Sequence, residues 1–197
     1  VIGKKEFNGK IVEGVNNSFI WTGNEINQDK TQLTLSKNSE GIVFGAYYLQ
    51  YLEELEKVKK SNEDIRIEKH YYVIKEGKEV ELKSNETVAL GTKITVKMTI
   101  VSNRSMQFIH VKDSKALGCE ATKTLSGYQW NGFGYFIVQN DASTSFFIDD
   151  LPKGNNTIEH SFYTTSKGKI HFGPSIVECE LMPSLKANSN GFVLNVE

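Results

Sequence analysis

The sequence is poor in cysteine and lacks the usual metal-binding spacings. Two cysteines, Cys119 and Cys179, occur among its 197 residues, so at most one disulfide is possible and a disulfide framework is excluded. The sequence has four histidines, at His70, His110, His160 and His171. Because neither a His-x-x-x-His nor a Cys-x-x-Cys motif occurs, we expect these histidines to pack in the core or at the surface. We therefore expect neither a metal nor another cofactor.

An excess of basic residues and a long apolar run are also absent. The chain carries 23 Lys and Arg against 24 Asp and Glu, a net charge of −1, whereas nucleic-acid binding needs an excess of cations to neutralise phosphates. No apolar run approaches the roughly 20 residues that cross a bilayer. The sequence thus predicts no nucleic-acid partner and no membrane insertion. The start lacks a signal-peptide pattern and an initiator Met, which suggests a mature chain or an excised fragment.

Alternating apolar and polar residues predict an all-β chain. Ile94, Val96, Met98 and Ile100 alternate with polar residues, as in a strand with one buried and one wet face. Further runs of this kind occur at 33–35, 143–149, 158–162, 177–181 and 192–196. Turn-forming pairs and quartets rich in Asn, Gly and Ser separate these runs. Many short strands spaced by such turns favour an antiparallel β-sandwich.

The stretch YYLQYLEELEKVKK (47–60) departs from this pattern. Tyr48, Leu52 and Leu55 fall on one face of a helix, yet the residues before them continue a strand-like run. We predict a strand to about Tyr51, then an irregular or short helical connector. The polar stretch 56–64 is the best candidate for a domain boundary.

The stretch DASTSFFIDDLPKG raises the question of a catalytic loop. Thr144, Phe146 and Ile148 alternate with more polar residues, and Pro152 and Gly154 then supply a turn. This pattern predicts a strand followed by a turn.

Hydrolase chemistry in this stretch would have to come from its serines and acids. Ser143 and Ser145, which we place on the outer face, lie in no Gly-x-Ser-x-Gly elbow and have no evident base. Asp141, Asp149 and Asp150 could suggest an acid–base pair, but neighbours on a strand point to opposite faces. We expect no catalytic residues here. A hydrolase function would require a polar cleft around these side chains.

A cluster of aromatic residues is the most distinctive feature of the sequence. The stretch LSGYQWNGFGYF (125–136) brings Tyr128, Trp130, Phe133 and Tyr135 together between glycines, which allow close backbone approach. These rings either pack over the end of a sandwich, or form a ligand site or protein-docking surface, since Tyr and Trp are enriched at interfaces.

Five short motifs appear in a fixed order, and together they resemble a known family. They are His-Val-Lys-Asp (110–113), Leu-Ser-Gly-Tyr-x-Trp (125–130), Gly-x-Gly-Tyr (132–135), Asp-Ala-Ser-Thr (141–144) and Leu-Pro-Lys-Gly (151–154). Over about residues 90 to 185, this set resembles the C-terminal domain of bacterial alpha-2-macroglobulin-like proteins of the Bacteroidetes type. Upstream, GIVFGAYYLQYLEELEKV is similar to the segment that follows the helical insertion of that family.

The resemblance implies a large secreted or periplasmic protein that traps endopeptidases after they cut a bait segment. It implies an extracytoplasmic location, in the periplasm or at the cell surface, and admits a lipid-anchored parent. The partners would be the upstream thioester-type helical domain of the same polypeptide and the target endopeptidases of the whole protein. A thioester is not expected in this chain, because Cys119 is followed by Glu-Ala-Thr and not by the family's x-Glu-Gln.

The resemblance also implies a domain organisation. Residues 1–60 would be the C-terminal part of a CUB-like β domain, and residues 61–197 an immunoglobulin-like macroglobulin domain at the C-terminal end of the parent protein. Within this scheme, Tyr128, Trp130, Phe133 and Tyr135 become the candidate protein-interaction residues of a non-catalytic docking module. A carbohydrate-binding module that stacks sugars on Tyr128 and Trp130 is the alternative.

The state of the two cysteines stays open at this point. An extracytoplasmic location would permit a disulfide between Cys119 and Cys179, but an inward-facing Cys179 equally suits a buried thiol. Unpaired thiols are our expectation.

Overall fold

The chain forms two compact units. The computed structural model describes residues 20–26, 40–42, 44–46, 48–60 and 64–197. By its internal contacts the chain divides into residues 1–50 and residues 51–197. The described part of the first unit contains a 3-10 turn, Gly23–Glu25.

The strand predicted up to Tyr51 is wrong for the residues that the structure describes. The described residues between 40 and 54 have irregular backbone, whereas the predicted short helical connector is confirmed as a 3-10 turn, Leu55–Lys57. A strand needs a neighbour that pairs with it and covers one face, but Phe44 and Leu52 are almost fully exposed. The candidate strand at 33–35 lies outside the described residues.

The segment that precedes the sandwich is fastened to it by hydrogen bonds. Asn188 Nδ2 donates to the carbonyl oxygen of Lys59 at 2.9 Å, and the Lys60 backbone N–H donates to Asn190 Oδ1 at 2.8 Å. The Gly191 N–H donates to the Val58 carbonyl at 3.2 Å. These contacts place residues 51–60 with the second unit. The assignment of residues 1–60 to a CUB-like domain stays a prediction.

The described part of the second unit is built from strands. They are β1 (Ile65–Lys75), β2 (Lys78–Glu81), β3 (Thr87–Val88), β4 (Lys93–Ser102), β5 (Met106–Ser114), β6 (Cys119–Ala121), β7 (Gly127–Trp130), β8 (Gly134–Gln139), β9 (Ser143–Leu151), β10 (Gly154–Thr164), β11 (Gly168–Phe172), β12 (Ser175–Cys179), β13 (Met182–Asn188) and β14 (Phe192–Val196). Within the described ranges, no helix has the length and apolar character that crossing a membrane requires.

The strands assemble into an antiparallel β-sandwich, as predicted. A five-stranded sheet has the order β2-β1-β4-β10-β6, and a six-stranded sheet has the order β13-β12-β5-β9-β8-β7. A smaller sheet, β11-β14-β3, contains the parallel pair β3–β14 beside an antiparallel one.

The core follows from the period-2 pattern. Ile94, Val96, Met98 and Ile100 on β4 are buried, while the residues between them are part-buried or exposed. On the six-stranded sheet, Phe146 and its neighbours on β9 supply the corresponding apolar face. Burial of these side chains is the main stabilising term of the sandwich.

Most of the predicted strands are confirmed, with two corrections. The runs at 143–149, 158–162 and 192–196 lie in β9, β10 and β14. β12 ends at Cys179, so Leu181 lies in an exposed turn and not on the inward face. Ser143 and Ser145 share the outer face of β9 with Phe147, as predicted, but both are buried there and not exposed. In the case of Ser145, the longer side chains of Lys112 and Val138 flank it on the neighbouring strands.

Candidate functional site

The aromatic cluster forms a β-hairpin (residues 127–139, hereafter the aromatic hairpin). β7 pairs with β8, with Tyr128 opposite Phe136 and Trp130 opposite Gly134. Gly132 in the connecting turn has φ +76°, a left-handed conformation that favours glycine. Asn131 fixes the turn to β10, because its Nδ2 donates to the Thr157 carbonyl at 3.1 Å.

The four predicted interaction residues divide into two exposed and two buried residues. Tyr128 and Trp130 are 63% and 71% exposed, whereas Phe133 and Tyr135 are 6% and 5% exposed. The buried pair packs inward, with ring centroids 5.5 Å apart and Tyr135 6.1 Å from Phe146. Of these four residues, only Tyr128 and Trp130 are therefore available to a partner, while Phe133 and Tyr135 anchor the hairpin to the core.

The exposed rings continue across the six-stranded sheet as an aromatic row (Tyr128, Phe136, Phe147 and His110). The strand register places these residues directly opposite one another on β7, β8, β9 and β5. Phe136 and Phe147 are 44% and 37% exposed, and the ring of His110 stacks on Phe147 at 4.6 Å with an interplanar angle of 2°. Cross-strand aromatic pairs stabilise a sheet by roughly 0.2–1 kcal/mol each, but the row also leaves apolar area in water.

Gly134 determines where the Tyr128 ring lies. A Cβ atom at this position would be 1.9 Å from Tyr128 Oη, so the phenol crosses the strand directly over the glycine. The ring thus covers a backbone that has no side chain of its own.

We expect Gly134→Ala to displace the Tyr128 ring without unfolding the chain. Tyr128 is a flexible surface side chain, and overpacking costs about 1–3 kcal/mol. In a Tyr128→Ala background the same change should cost almost nothing, because the clash is gone. Urea denaturation of the four chains of this double-mutant cycle measures the coupling, and equal effects in both backgrounds would contradict the contact.

A group of polar residues, separate from the aromatic row, lies inside the sandwich. We call it the charge cluster (Lys69, Asp113, His160 and Ser175). Lys69 Nζ is 2.5 Å from Asp113 Oδ1, and the two side chains are 1% and 5% exposed. His160 Nε2 is 2.8 Å from Asp113 Oδ2, and Ser175 Oγ donates to Oδ1 at 2.8 Å. Nζ also donates to the Gly173 carbonyl at 3.2 Å.

The charge cluster joins the two large sheets. Lys69 and His160 lie on β1 and β10 of the five-stranded sheet, whereas Asp113 and Ser175 lie on β5 and β12 of the six-stranded sheet. Burial by itself would raise the pKa of Asp113, but the Lys69 ammonium and the His160 hydrogen bond together hold that pKa well below its usual range. The carboxylate is therefore ionised and paired.

Sequence reasoning missed the charge cluster, although its signal is visible. Lys69 continues the inward alternation of Ile67 and Tyr71, and Asp113 continues that of Val111. A lysine and an aspartate at inward positions of two strands indicate a buried pair, because isolated buried charges are very costly.

The residues considered for hydrolase chemistry do not assemble into a site. Asp141, Asp149 and Asp150 are exposed, and Asp150 Oδ1 accepts a hydrogen bond from Gln107 Nε2 at 2.8 Å. Across the described ranges, no group of three or more His, Cys, Asp and Glu could hold a metal ion.

Both cysteines are free and buried, on different sheets. Burial raises the pKa of Cys119 to about 12, and Cys179 Sγ lies 3.5 Å from the Gln107 carbonyl oxygen. Cys119 therefore stays protonated and unreactive in the folded chain.

We expect a thiol reagent at pH 8 to modify neither cysteine until the chain is unfolded in urea. The folded state keeps the Cys119 proton that the unfolded chain loses near its ordinary pKa of 9.0. The Cys119 thiol therefore makes its full contribution to the free energy of unfolding below pH 9, and this contribution falls as the pH rises towards 12. Counting reactive thiols with and without urea tests this, and one equivalent in the folded chain would contradict it.

Comparison with known proteins places this geometry in a family. The family model "Bacterial Alpha-2-macroglobulin MG10 domain" matches residues 65–183. Alpha-2-macroglobulin from Salmonella, in its methylamine-reacted crystal structure, is 15% identical with a TM-score of 0.55 over 71% of this chain. Native alpha-2-macroglobulin from Escherichia coli, from domain MG7 to the C-terminus, is 16% identical with a TM-score of 0.56 over 70% of this chain. No curated protein matches the sequence.

These matches differ in what they establish. At such low identity the solved structures show the fold alone, and the chain spans only 10% and 24% of the two relatives' lengths. The family model covers more than half of the chain, including the charge cluster and the aromatic hairpin. The chain belongs to the bacterial alpha-2-macroglobulin MG10 domain family.

Proposed function

We propose that the chain is a non-catalytic module of a large alpha-2-macroglobulin-like inhibitor that traps proteases. In this proposal it docks through Tyr128 and Trp130 against the neighbouring thioester-type helical domain of the same polypeptide. The observation that carries the proposal is the exposure of these two rings at the end of an aromatic row, on a chain that belongs to a macroglobulin family.

The physical support is the apolar area that the aromatic row leaves in water. Contiguous exposed apolar patches mark interaction surfaces, and Tyr and Trp supply much of the binding energy of protein interfaces. The row is also rigid, because strand pairing fixes three of its rings on adjacent strands, so little conformational entropy is lost when a partner covers it.

The remaining parts of the proposal concern the parent protein. Target endopeptidases would contact the whole inhibitor and not this module alone. The parent would be periplasmic or on the cell surface, in some cases with a lipid anchor. Residues 1–60 would complete a CUB-like domain together with strands from elsewhere in the polypeptide.

Calorimetric titration of the 197-residue chain with the separately expressed upstream helical domain tests the docking proposal. We expect saturable binding with one-to-one stoichiometry. The heat-capacity change should be negative, because apolar area is buried. Absence of binding at high concentrations of both proteins would contradict docking and leave the family assignment unaffected.

A carbohydrate-binding module is the second candidate, because Tyr128 and Trp130 present two exposed rings on one strand. Sugar rings stack on such side chains. Titration with a panel of bacterial and host glycans distinguishes the candidates. Binding of a glycan that is lost in Trp130→Ala, without binding of the helical domain, would favour this function over docking.

A further inference from the structure

The charge cluster places an amine and a carboxyl group together in a site almost sealed from solvent. Lys69 Nζ lies 2.5 Å from Asp113 Oδ1, and both side chains are nearly fully buried. Because Oδ1 is bonded to Cγ, the nitrogen also lies close to the acyl carbon. Fixed proximity of this kind accelerates the reaction of two groups, because they no longer have to meet by diffusion and orient.

We propose that Lys69 and Asp113 condense to an intramolecular isopeptide bond that links the two large sheets covalently. The Nζ–Cγ bond forms, the Cγ–Oδ2 bond breaks, and one water molecule leaves. The ammonium brings three protons, of which one stays on the amide nitrogen and two leave with Oδ2. The conversion therefore needs neither an oxidant nor an activating group.

The neighbours of the pair supply the groups that the condensation requires. One ammonium proton transfers to the carboxyl group, and the neutral amine that results attacks Cγ with its lone pair. The His160 imidazole, with Nε2 2.8 Å from Oδ2, relays protons to the departing oxygen and returns to its starting state.

Two further contacts fix the reacting atoms. Ser175 Oγ donates to Asp113 Oδ1 at 2.8 Å and stabilises the negative charge that Oδ1 carries in the tetrahedral intermediate. The Gly173 carbonyl accepts from Nζ at 3.2 Å and holds the amine beside the carboxyl group. Each of the four side chains of the charge cluster thus has a place in the reaction.

The environment of Lys69 and Asp113 also favours the amide over the ion pair. A cavity of about 20 Å³ is lined in part by Asp113, Cys119, His160, Phe162 and Phe172 and is large enough for one water molecule. The ion pair keeps two charges out of water at a large desolvation cost, whereas the amide carries no charge.

Intact-mass measurement of the full chain under denaturing conditions tests the proposal. We expect the whole population to be lighter than its sequence by the mass of one water molecule. Tryptic digestion should give a branched peptide that joins the segments around Lys69 and Asp113, because trypsin does not cut at an acylated lysine. A cooperatively folded chain with its full sequence mass would overturn the proposal.

Three variants separate this bond from other routes to water loss. Lys69→Arg keeps the charge but should show its full mass, and the same deficit in this variant would overturn the assignment. Asp113→Asn should lose the mass of ammonia and give the identical product. His160→Phe should condense more slowly during refolding, and an unchanged rate would overturn the role of His160 as proton relay.

Discussion

Replacing Asp113 by alanine is expected to lower the free energy of unfolding by at least about 3–5 kcal/mol, the usual cost of leaving one member of a buried ion pair without its partner. The variant leaves the Lys69 ammonium inside the sandwich with the Gly173 carbonyl and the face of the Tyr71 ring as neighbours, but without a counter-charge. It also removes the acceptor for His160 Nε2 and Ser175 Oγ. Urea denaturation followed by tryptophan fluorescence measures the loss.

Asp149→Ala is the matched control for this prediction. Asp149 is an exposed aspartate on β9, and its removal should change stability by no more than about 0.5 kcal/mol. Equal effects of the two substitutions would contradict the importance of the charge cluster.

The double variant Lys69→Met with Asp113→Leu separates two sources of the loss. It removes the charge and fills the space with apolar atoms, so it should regain most of the stability if the unpaired ammonium is responsible. If the double variant stays as unstable as Asp113→Ala, the loss comes from the covalent link between the sheets.

Tyr128→Ala and Trp130→Ala are each expected to weaken docking by at least 30-fold, about 2 kcal/mol, the threshold for an interface hot spot. Both rings stand on the exposed face of β7, and neither fills the core. Their loss should therefore leave the unfolding transition almost unchanged. Calorimetry with the helical domain measures affinity, and urea denaturation of the same samples measures stability.

Ile74→Ala and Phe133→Ala are the controls for the docking prediction. Ile74 is equally exposed but lies on β1, in the other large sheet, so its loss should leave the affinity unchanged. Phe133 is buried, and its loss should reduce stability. An Ile74→Ala variant that binds as weakly as Trp130→Ala would contradict a localised surface.

The sandwich could be predicted from the sequence because its signal is local. The alternation from Ile94 to Ile100 reports one face of one strand, and it needs no information about distant residues. The run around Tyr48 and Tyr51 carries similar composition, but a strand also needs a partner. Whether a partner is present is a property of the rest of the chain, and the described residues here are irregular.

The candidate site could be predicted only in part, for a related reason. Clustering in sequence identified the aromatic hairpin, but it could not separate the exposed Trp130 from the buried Phe133, since turn geometry decides which ring folds inward. Lys69 and Asp113 are 44 residues apart. Their contact depends on how the two sheets are stacked, and no local stretch of the sequence specifies this stacking.

The small sheet can form only late in the synthesis of the chain, because its central strand is the last one. β3 is completed only when Val88 pairs with Val196 on β14, a partner that the ribosome delivers roughly a hundred residues later, and such distant pairings are slow to form. Until then β3 and β11 both lack the strand that lies between them. A nascent or truncated chain that stops before β14 therefore exposes open strand edges, which recruit other chains.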